Sequence, residues 1–425
     1  MRTRPNANGR RKPPPDAARR GAPPVTRQTH AVIAGAGIGG LAAAIALARA
    51  GLRVTLIERA PVLGEAGAGL QLAPNATGRL REMGLLDKIL KYATAPEALR
   101  IRRARDGHEL ARLPLGPIAD FRWGAPYLVI HRADLQRALM EACAAEPAIS
   151  LRAGVRVAGF AVAGDRVEIG AREGETMTRF DGDFLVGADG LRSVVRERLG
   201  LGPSDAPVWS GRTAWRALVP AAAAPPVALR VETNLWLGPR AHLVHYPVRH
   251  GEFVNVVAIA EDGWRGEDAD DLWNVSSRPA EISPRFSAWT DEARAVVSSA
   301  REWLRWPLFD RAPSARWRVD RVALLGDAAH PMLPFFAQGA AQAIEDAAAL
   351  GAAFAARPGD VNGALAAYET ARTRRAGGVV IASRKQGSIY HMRGPMAFAR
   401  DQVMQRLGPI RMMNRLDWLY NHVDA

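Results

Sequence analysis

Gly35, Gly37 and Gly40 stand in the order G-x-G-x-x-G. Those residue types at that spacing suit one task, holding a pyrophosphate. Gly35 permits a tight turn, Gly37 lets the backbone approach the phosphates, and Gly40 lets a helix pack closely on a strand. A helix that starts there offers unpaired N–H groups and the positive end of its dipole to the anion. Glu58 ends the next apolar segment, about twenty residues on, where a carboxylate accepts hydrogen bonds from ribose hydroxyls. The combination implies a bound dinucleotide and does not separate NAD from FAD.

Two more apolar runs end in glycine. Gly187-Ala188-Asp189-Gly190 precedes a short helix near Ser193, so Asp189 either caps that helix or faces a nucleotide. Gly326-Asp327 places a carboxylate at the end of a third strand, suited to a polyol chain. Beyond it, Pro334-Phe335-Phe336-Ala337-Gln338-Gly339-Ala340 runs into another helix start. Gly339 admits close backbone approach there, and exposed N–H groups at Gly339 and Ala340 would stabilise negative charge on a bound ring. His330 reads as a partly buried polar residue.

The elements that must position these groups follow from hydrophobic pattern. Ala31–Ala34 is a buried strand, Leu41–Ala50 an Ala-rich helix and Arg53–Glu58 a second strand, a β-α-β unit. Residues 74–92 pattern as helix. Residues 98–113 pattern as strands about the Asp106-Gly107 turn, and His131–Ala145 as helix. Strands fill 151–186 and 207–260, helical segments 266–303, and Val322–Leu325 is a third apolar strand. Helices are expected at Gln338–Ala356 and Gly363–Arg375 and over the last fifty residues. The fold class is therefore α/β: a nucleotide-binding sheet interrupted by a mixed sheet and then resumed. The three strand-to-glycine turns sit where open α/β sheets bind ligands, at the strands' carboxyl ends.

Composition removes several classes. Of the net charge of +14, half lies in residues 1–30, where eight Arg and Lys face only Asp16 among six prolines. Residues 1–29 are expected to be a disordered basic tail, with no apolar core of a secretory signal. The remaining charge is spread without runs, which suits anionic small ligands and gives no specific nucleic-acid motif. No apolar run reaches the roughly 18 residues of a membrane span. The one cysteine, Cys143, has no partners for a disulfide or zinc site, so no metal is expected and a reducing cytoplasmic setting fits.

The ordered motifs resemble the class A flavoprotein monooxygenases, from about Val32 to the C-terminus. Gly35–Gly40 with Glu58-Arg59 looks like that family's FAD pyrophosphate and ribose site. Gly187-Ala188-Asp189-Gly190 looks like its Asp-Gly motif, and Gly326-Asp327 like the motif whose Asp holds the ribityl chain. His131-Arg132-Ala133-Asp134-Leu135 looks like the segment whose Arg lies over the FAD. Gly67–Asn75, with Gln71, and Gln338–Ala347 are similar to the subgroup of salicylate hydroxylase, 3-hydroxybenzoate 6-hydroxylase and 6-hydroxynicotinate 3-monooxygenase.

The resemblance implies a Rossmann-like FAD-binding domain (30–97, 127–205, 319–375) interleaved with a mixed β-sheet substrate domain (98–126, 206–318), then C-terminal helices (376–425). It implies non-covalent FAD, NADH or NADPH as transient reductant, and dioxygen captured as a flavin hydroperoxide that hydroxylates a small hydroxyaromatic acid. His242-Leu243-Val244-His245-Tyr246 looks like the strand that presents a His and a Tyr to the substrate, which makes His242 and Tyr246 the catalytic pair. A strand's period of two agrees, since positions 242 and 246 share a face and His245 takes the other. A neutral His242 suits the removal of a phenolic proton, and His245 is a second candidate base. Gln71, Pro334, Phe335 and Phe336 fall at substrate-lining positions. Gln71 and Pro334 also depart from the subgroup's patterns, Gln71 standing where the hydroxynicotinate enzymes have His and Pro334 where the 3-hydroxybenzoate enzymes have Gln. The particular acid stays open, as does an epoxidase or hydroxylase of a larger, apolar substrate. So does a monomer or a homodimer.

Overall fold

The computed structural model describes residue 3 and residues 27–64, 68–202, 206–264 and 275–421. Most of the expected tail, and Gly67, lie outside the described residues. The body is already anchored at its start, because Arg27 pairs with Asp183 and Gln28 donates to the Gly51 carbonyl at 2.8 Å.

The apolar run His30–Ala34 is buried along its whole length and forms the middle of a six-stranded sheet. It lies parallel to Phe184–Gly187 on one side and to Arg53–Glu58 on the other. Val322–Leu324 continues the sheet beyond Phe184–Gly187, and Ile149–Ala153 beyond Arg53–Glu58, both parallel. Only the edge strand Arg318–Val319 runs antiparallel. The chain leaves His30–Ala34 for one side first and returns to the other later. That reversal opens a crevice at the carboxyl ends of the central strands.

Small residues set how closely the helices approach this sheet. In Ile38–Arg49 a Cβ on Gly40 would stand 1.9 Å from the Gly35 carbonyl oxygen. In Gly339–Ala355, a Cβ on Gly351 would meet Ala46 Cβ at 2.8 Å. Gly40 thus lets the first helix start close against the glycine turn, and Gly351 lets the second helix pack closely on the first.

The second sheet has eight strands in the order Val275–Ser277, Trp303–Asp310, Val208–Pro220, Phe253–Glu261, Ala241–Val248, Thr233–Gly238, Ala98–Arg103 and Glu109–Pro114. It is antiparallel apart from the pairing of Thr233–Gly238 with Ala98–Arg103. One face buries Trp215, Trp236 and Trp303 against the helix Asp291–Ser298. The other face turns toward the C-terminal helices and forms the floor of the site. A three-stranded meander, Val155–Ala163, Arg166–Glu173 and Thr176–Gly182, packs beside the first sheet.

Four local expectations differ. The helix over 74–92 is two helices, Pro74–Glu82 and Leu86–Leu90, because Gly84 adopts φ +56° between them. Gly69–Leu72 and Leu128–His131 pair as a short antiparallel ribbon, so His131 ends a strand and Arg132 begins the helix. The helical reading of 266–303 fails at Val275–Ser277, which edges the large sheet, and 265–274 lie outside the described residues. The helix over Gly363–Arg375 is the first half of Val361–Tyr390, since packing of Gly377 on Pro313 carries the chain through Gly377-Gly378.

Candidate active site

The three glycine turns end three adjacent strands. Gly326, Gly187 and Gly35 follow or close Val322–Leu324, Phe184–Gly187 and His30–Ala34, and Glu58 ends the fourth strand of the row. Gly35 takes φ +102° and would drive a Cβ to 2.4 Å from the Ala188 carbonyl oxygen, so its requirement is internal to the fold. Gly37 is different. A Cβ there meets nothing within 4 Å, and φ is an ordinary −69°. No steric need inside the chain explains it, whereas close approach of a phosphate does. Glu58 accepts from the Ala36 and Ala60 amides at 2.8 Å each, which ties the second strand to the glycine turn. Arg59 beside it is exposed.

Across the crevice, Asp327 projects into the open recess. The fold surrounds it closely enough that burial raises its pKa, against the charges of His330 and Arg132. Gly339 faces it, with a would-be Cβ 3.9 Å from Asp327 Oδ1. The helices Ile38–Arg49 and Gly339–Ala355 both begin without a side-chain cap, so their first N–H groups are offered to whatever lies in the crevice. Ala337 turns the chain into the second of these at φ +52°, a left-handed conformation that a non-glycine residue rarely adopts. Two uncapped helix starts, an open glycine, and carboxylates at both ends fit a long diphosphate-bridged cofactor such as FAD. Asp189 is arranged otherwise: its oxygens accept from Ser193 Oγ at 2.5 Å and the Val195 amide at 3.1 Å, so it organises the helix Val194–Leu199.

The Pro334–Gly339 loop joins this crevice to a cavity of about 470 Å³. Pro334, Phe335 and Phe336 line it, and His242, Gln71 and Tyr127 reach it from three other segments. The Tyr127 hydroxyl donates to Gln71 Oε1 at 2.5 Å. Tyr246 is buried against the ribbon, where Gly69 makes room for its ring. Burial pushes its phenol upward despite a hydrogen bond with Gln71. The strand period therefore separates the two histidines as expected. His242 faces the cavity, 5.5 Å from the Phe335 ring, while His245 accepts from Trp236 Nε1 at 3.0 Å on the opposite face. Burial, then the charge of Arg102, pushes His245 down to about 3. It has no access to the cavity.

Residues without a local motif complete the site. His391, the C-cap of Val361–Tyr390, places Nε2 2.8 Å from His242 Nδ1. Arg212 Nε donates to His391 Nδ1 at 3.1 Å, and its guanidinium lies 5.4 Å from the Phe335 ring centre. Burial, with smaller effects of His391 and Arg212, drives the pKa of His242 far below the ordinary histidine range. Burial, then Arg212 and Arg400, pushes His391 down to about 3. Both shifts favour the uncharged rings. The sequence carries no motif or spacing that links His391 or Arg212 to His242. Tyr390, Met396, Met404 and Leu416 close the cavity from the C-terminal helices.

Behind the helix start at Gly339 lies a buried ionic cluster. Arg372 donates to Glu345 Oε2 at 2.5 Å and to Asp346 Oδ1 at 2.7 Å, and Arg375 adds bonds to Glu345 at 3.0 and 3.1 Å. Asp346 Oδ2 also takes the Gly326 amide at 2.9 Å and His330 Nε2 at 2.6 Å. Burial alone would raise the Asp346 pKa, but His330 and Arg372 outweigh it and hold the carboxyl at about 2. Asn75 reaches the same cluster through Glu345 at 2.5 Å and Gln338 at 2.9 Å. The cluster thus pins the Gly326 turn and the Gln338 loop to one another.

Known relatives identify the family of this chain. A family model described as "FAD binding domain" matches residues 28–383. The 3-hydroxybenzoate 6-hydroxylase of Klebsiella oxytoca is 36% identical over 393 residues, covering 92% of this chain and 96% of that protein. The 3-amino-4-hydroxybenzoate 2-monooxygenase of Streptomyces cremeus is 36% identical over 397 residues, covering 93% and 96%. The crystal structure of Klebsiella pneumoniae HpxO complexed with FAD and uric acid superposes with a TM-score of 0.80 at 27% identity, covering 91% of this chain and 95% of that one. The chain is therefore a member of the FAD-dependent class A flavin monooxygenases.

Proposed function

We propose that the chain hydroxylates a small hydroxyaromatic acid, using NADH or NADPH as reductant and dioxygen as oxidant. One observation carries the reading: a mostly apolar cavity, with a neutral histidine and a Gln–Tyr pair among its few polar groups, is joined to the FAD crevice by a single loop. Relatives that act on 3-hydroxybenzoate and 3-amino-4-hydroxybenzoate support it.

FAD, when bound, supplies the passage of electrons from the nicotinamide to dioxygen and the delivery of one oxygen atom. The chain's residues do the rest. Gly37, in a turn shaped by Gly35 and Gly40, would let the pyrophosphate approach the backbone, with Glu58 and Arg59 at the ribose. Asp327 and Arg132 take the ribityl and ring side, and Asp189 orders the turn between them. The N–H groups of Gly339 and Ala340 face negative charge on the ring system. Pro334, Phe335 and Phe336 confine the aromatic ring and exclude water. Gln71 orients Tyr127 and Tyr246 along one side, and His242 makes the hydrogen bond to the phenolic oxygen. In this division residues 30–97, 127–205 and 319–375 serve FAD, 98–126 and 206–318 serve substrate, and 376–425 close the cavity.

The test is oxidation of NADH and of NADPH with oxygen uptake by the FAD-loaded protein, against salicylate, 3- and 4-hydroxybenzoate and 6-hydroxynicotinate. Stimulated oxidation with a hydroxylated product is expected from at least one acid. A flavin-containing protein that none of them stimulates would overturn the substrate class. Cavity size favours one second reading. Roughly 150 Å³ of apolar space is enough for a benzene ring, and this cavity is about 470 Å³. A ring bearing an apolar substituent directed toward Met404 and Leu416 would use the remainder, so alkyl-substituted acids belong in the same panel.

A further inference from the structure

We propose that Arg212 and His391 are positioning residues that fix the proton of His242 on Nε2, so that His242 meets its substrate as a hydrogen-bond donor. The inference rests on the reading of His242 as the group that faces the substrate.

The geometry admits one arrangement of protons. A guanidinium Nε–H can only donate, and arginine does not lose its proton in proteins. The 3.1 Å contact from Arg212 Nε therefore makes His391 Nδ1 an acceptor. A neutral imidazole carries one proton, which on His391 must then be on Nε2. That proton points at His242 Nδ1, 2.8 Å away, and makes it an acceptor in turn. His242 is left with its own proton on Nε2, the nitrogen not engaged by His391. Arg212 thus dictates the tautomer of a ring it does not touch, and which nitrogen carries the proton is set by the bond the other one makes.

The surroundings hold the pair neutral. Tyr390 packs edge-on to His242 at 5.3 Å, and Arg400 adds positive charge near His391 while itself bound to Asp401 at 2.8 Å. Glu261 lies opposite Arg212 on the neighbouring strand and is shared with Arg240 at 3.4 Å. Among the described residues no carboxylate is hydrogen-bonded to either imidazole, which leaves no anion to favour a second proton on them.

The consequence is a changed role for His242. A phenol can accept from Nε2–H through its oxygen but cannot give its proton there, whereas a phenolate or carboxylate oxygen accepts the same bond more strongly. For Nε2 to take a proton instead, both imidazoles must exchange tautomers and Arg212 must withdraw its Nε–H. His242 therefore favours an oxyanion over a neutral phenol, and the phenolic proton leaves by another route.

The experiment uses FAD-loaded full-length protein with ¹⁵N-labelled histidine. Two-bond ¹H–¹⁵N spectra report the tautomer of each of the nine histidines, with His242 and His391 assigned from His242→Phe and His391→Phe. Both are expected as Nε2-H in the parent. Arg212→Met should release them, so that an Nδ1-H population appears, and Arg212→Lys should restore the parent pattern. An Nδ1-H tautomer at His242 in the parent, or no change in Arg212→Met, overturns the proposal. If Arg212→Met does not fold, the parent and Arg212→Lys spectra still decide. With an accepted acid, Arg212→Met should raise KM about tenfold, more than it lowers kcat, because the lost bond is to a charged acceptor. An equal loss in kcat with KM unchanged counts against it. If no hydroxyaromatic acid stimulates turnover while the tautomers are as expected, the substrate reading fails and the proton arrangement stands.

Discussion

Two buried polar clusters flank the loop that joins the FAD crevice to the cavity, and they are built on opposite principles. Behind Gly339, Arg372 and Arg375 face Glu345 and Asp346, so the charges balance and most oxygen atoms are used. Behind the cavity, His242 and His391 are neutral and lean on one half-exposed cation, Arg212. A balanced ionic cluster is rigid, because any displacement leaves a buried charge uncompensated. A neutral imidazole pair stores little charge energy and can be reset by moving one donor. The first kind of cluster suits a part that must hold the cofactor's loops still. The second suits a part that must match the protonation of what it binds.

The largest expected effect comes from breaking the ionic cluster. Arg372→Met leaves Asp346 buried with only His330 and the Gly326 amide, and Glu345 with Arg375 as its remaining cation. Removing one partner of a buried pair costs about 3–5 kcal/mol, and the surviving partners place this case near the lower end. Chemical denaturation of the FAD-loaded protein measures it. A loss under about 1 kcal/mol would mean that the cluster is not the rigid element described.

Acid separates the two clusters by pH. His242, His245 and His391 have folded pKa values below the ordinary 6.5, about 3 for the latter two. Between these limits the unfolded chain binds more protons than the folded one. Stability must then fall as pH drops below about 6.5, by up to about 1.4 kcal/mol per pH unit for each histidine. Asp346, held at about 2, is shifted in the same direction but in a lower window: its contribution is intact above its ordinary value near 3.8 and disappears only as pH falls toward 2. Unfolding midpoints against pH should show a histidine limb first and a carboxylate limb below it. His391→Asn should flatten only the first. An unchanged upper limb in that variant would show that His391 is not the neutral buried ring described.

The difference between the clusters also explains what could be read from the sequence. The FAD side was legible because each part is local: a strand, a glycine that must turn, and a carboxylate at a fixed distance along the chain. Gly35, Gly37, Glu58 and Asp327 all emerge from short patterns. His242 came from the family resemblance, and the strand period agrees with it and puts His245 on the other face. His391 and Arg212 did not, because their partners lie 149 and 179 positions away and no periodicity links them. Asp189 illustrates the reverse case. Its motif was legible, but the same residues also spell a helix cap, and the structure uses both carboxylate oxygens for that.

The smallest expected effect is the sharpest test of the contrast. One helix, Val361–Tyr390, carries Arg372 and ends at His391, so it could transmit strain from one cluster to the other. At 1.5 Å per residue the two lie about 28 Å apart along its axis. Among the described residues they share no hydrogen-bond partner: Arg372 uses Gln342, Glu345 and Asp346, and His391 uses His242, Arg212, the Arg240 amide and the Gly387 carbonyl. Distant sites without common partners add to within about 0.5 kcal/mol. The double variant Arg372→Lys with His391→Asn should therefore show a coupling energy below that limit when each single change and the pair are measured by denaturation at one pH. A larger value would mean that the long helix couples them. The state of the cofactor loop would then bear on the tautomer at the substrate, and the two clusters would have to be treated as one device.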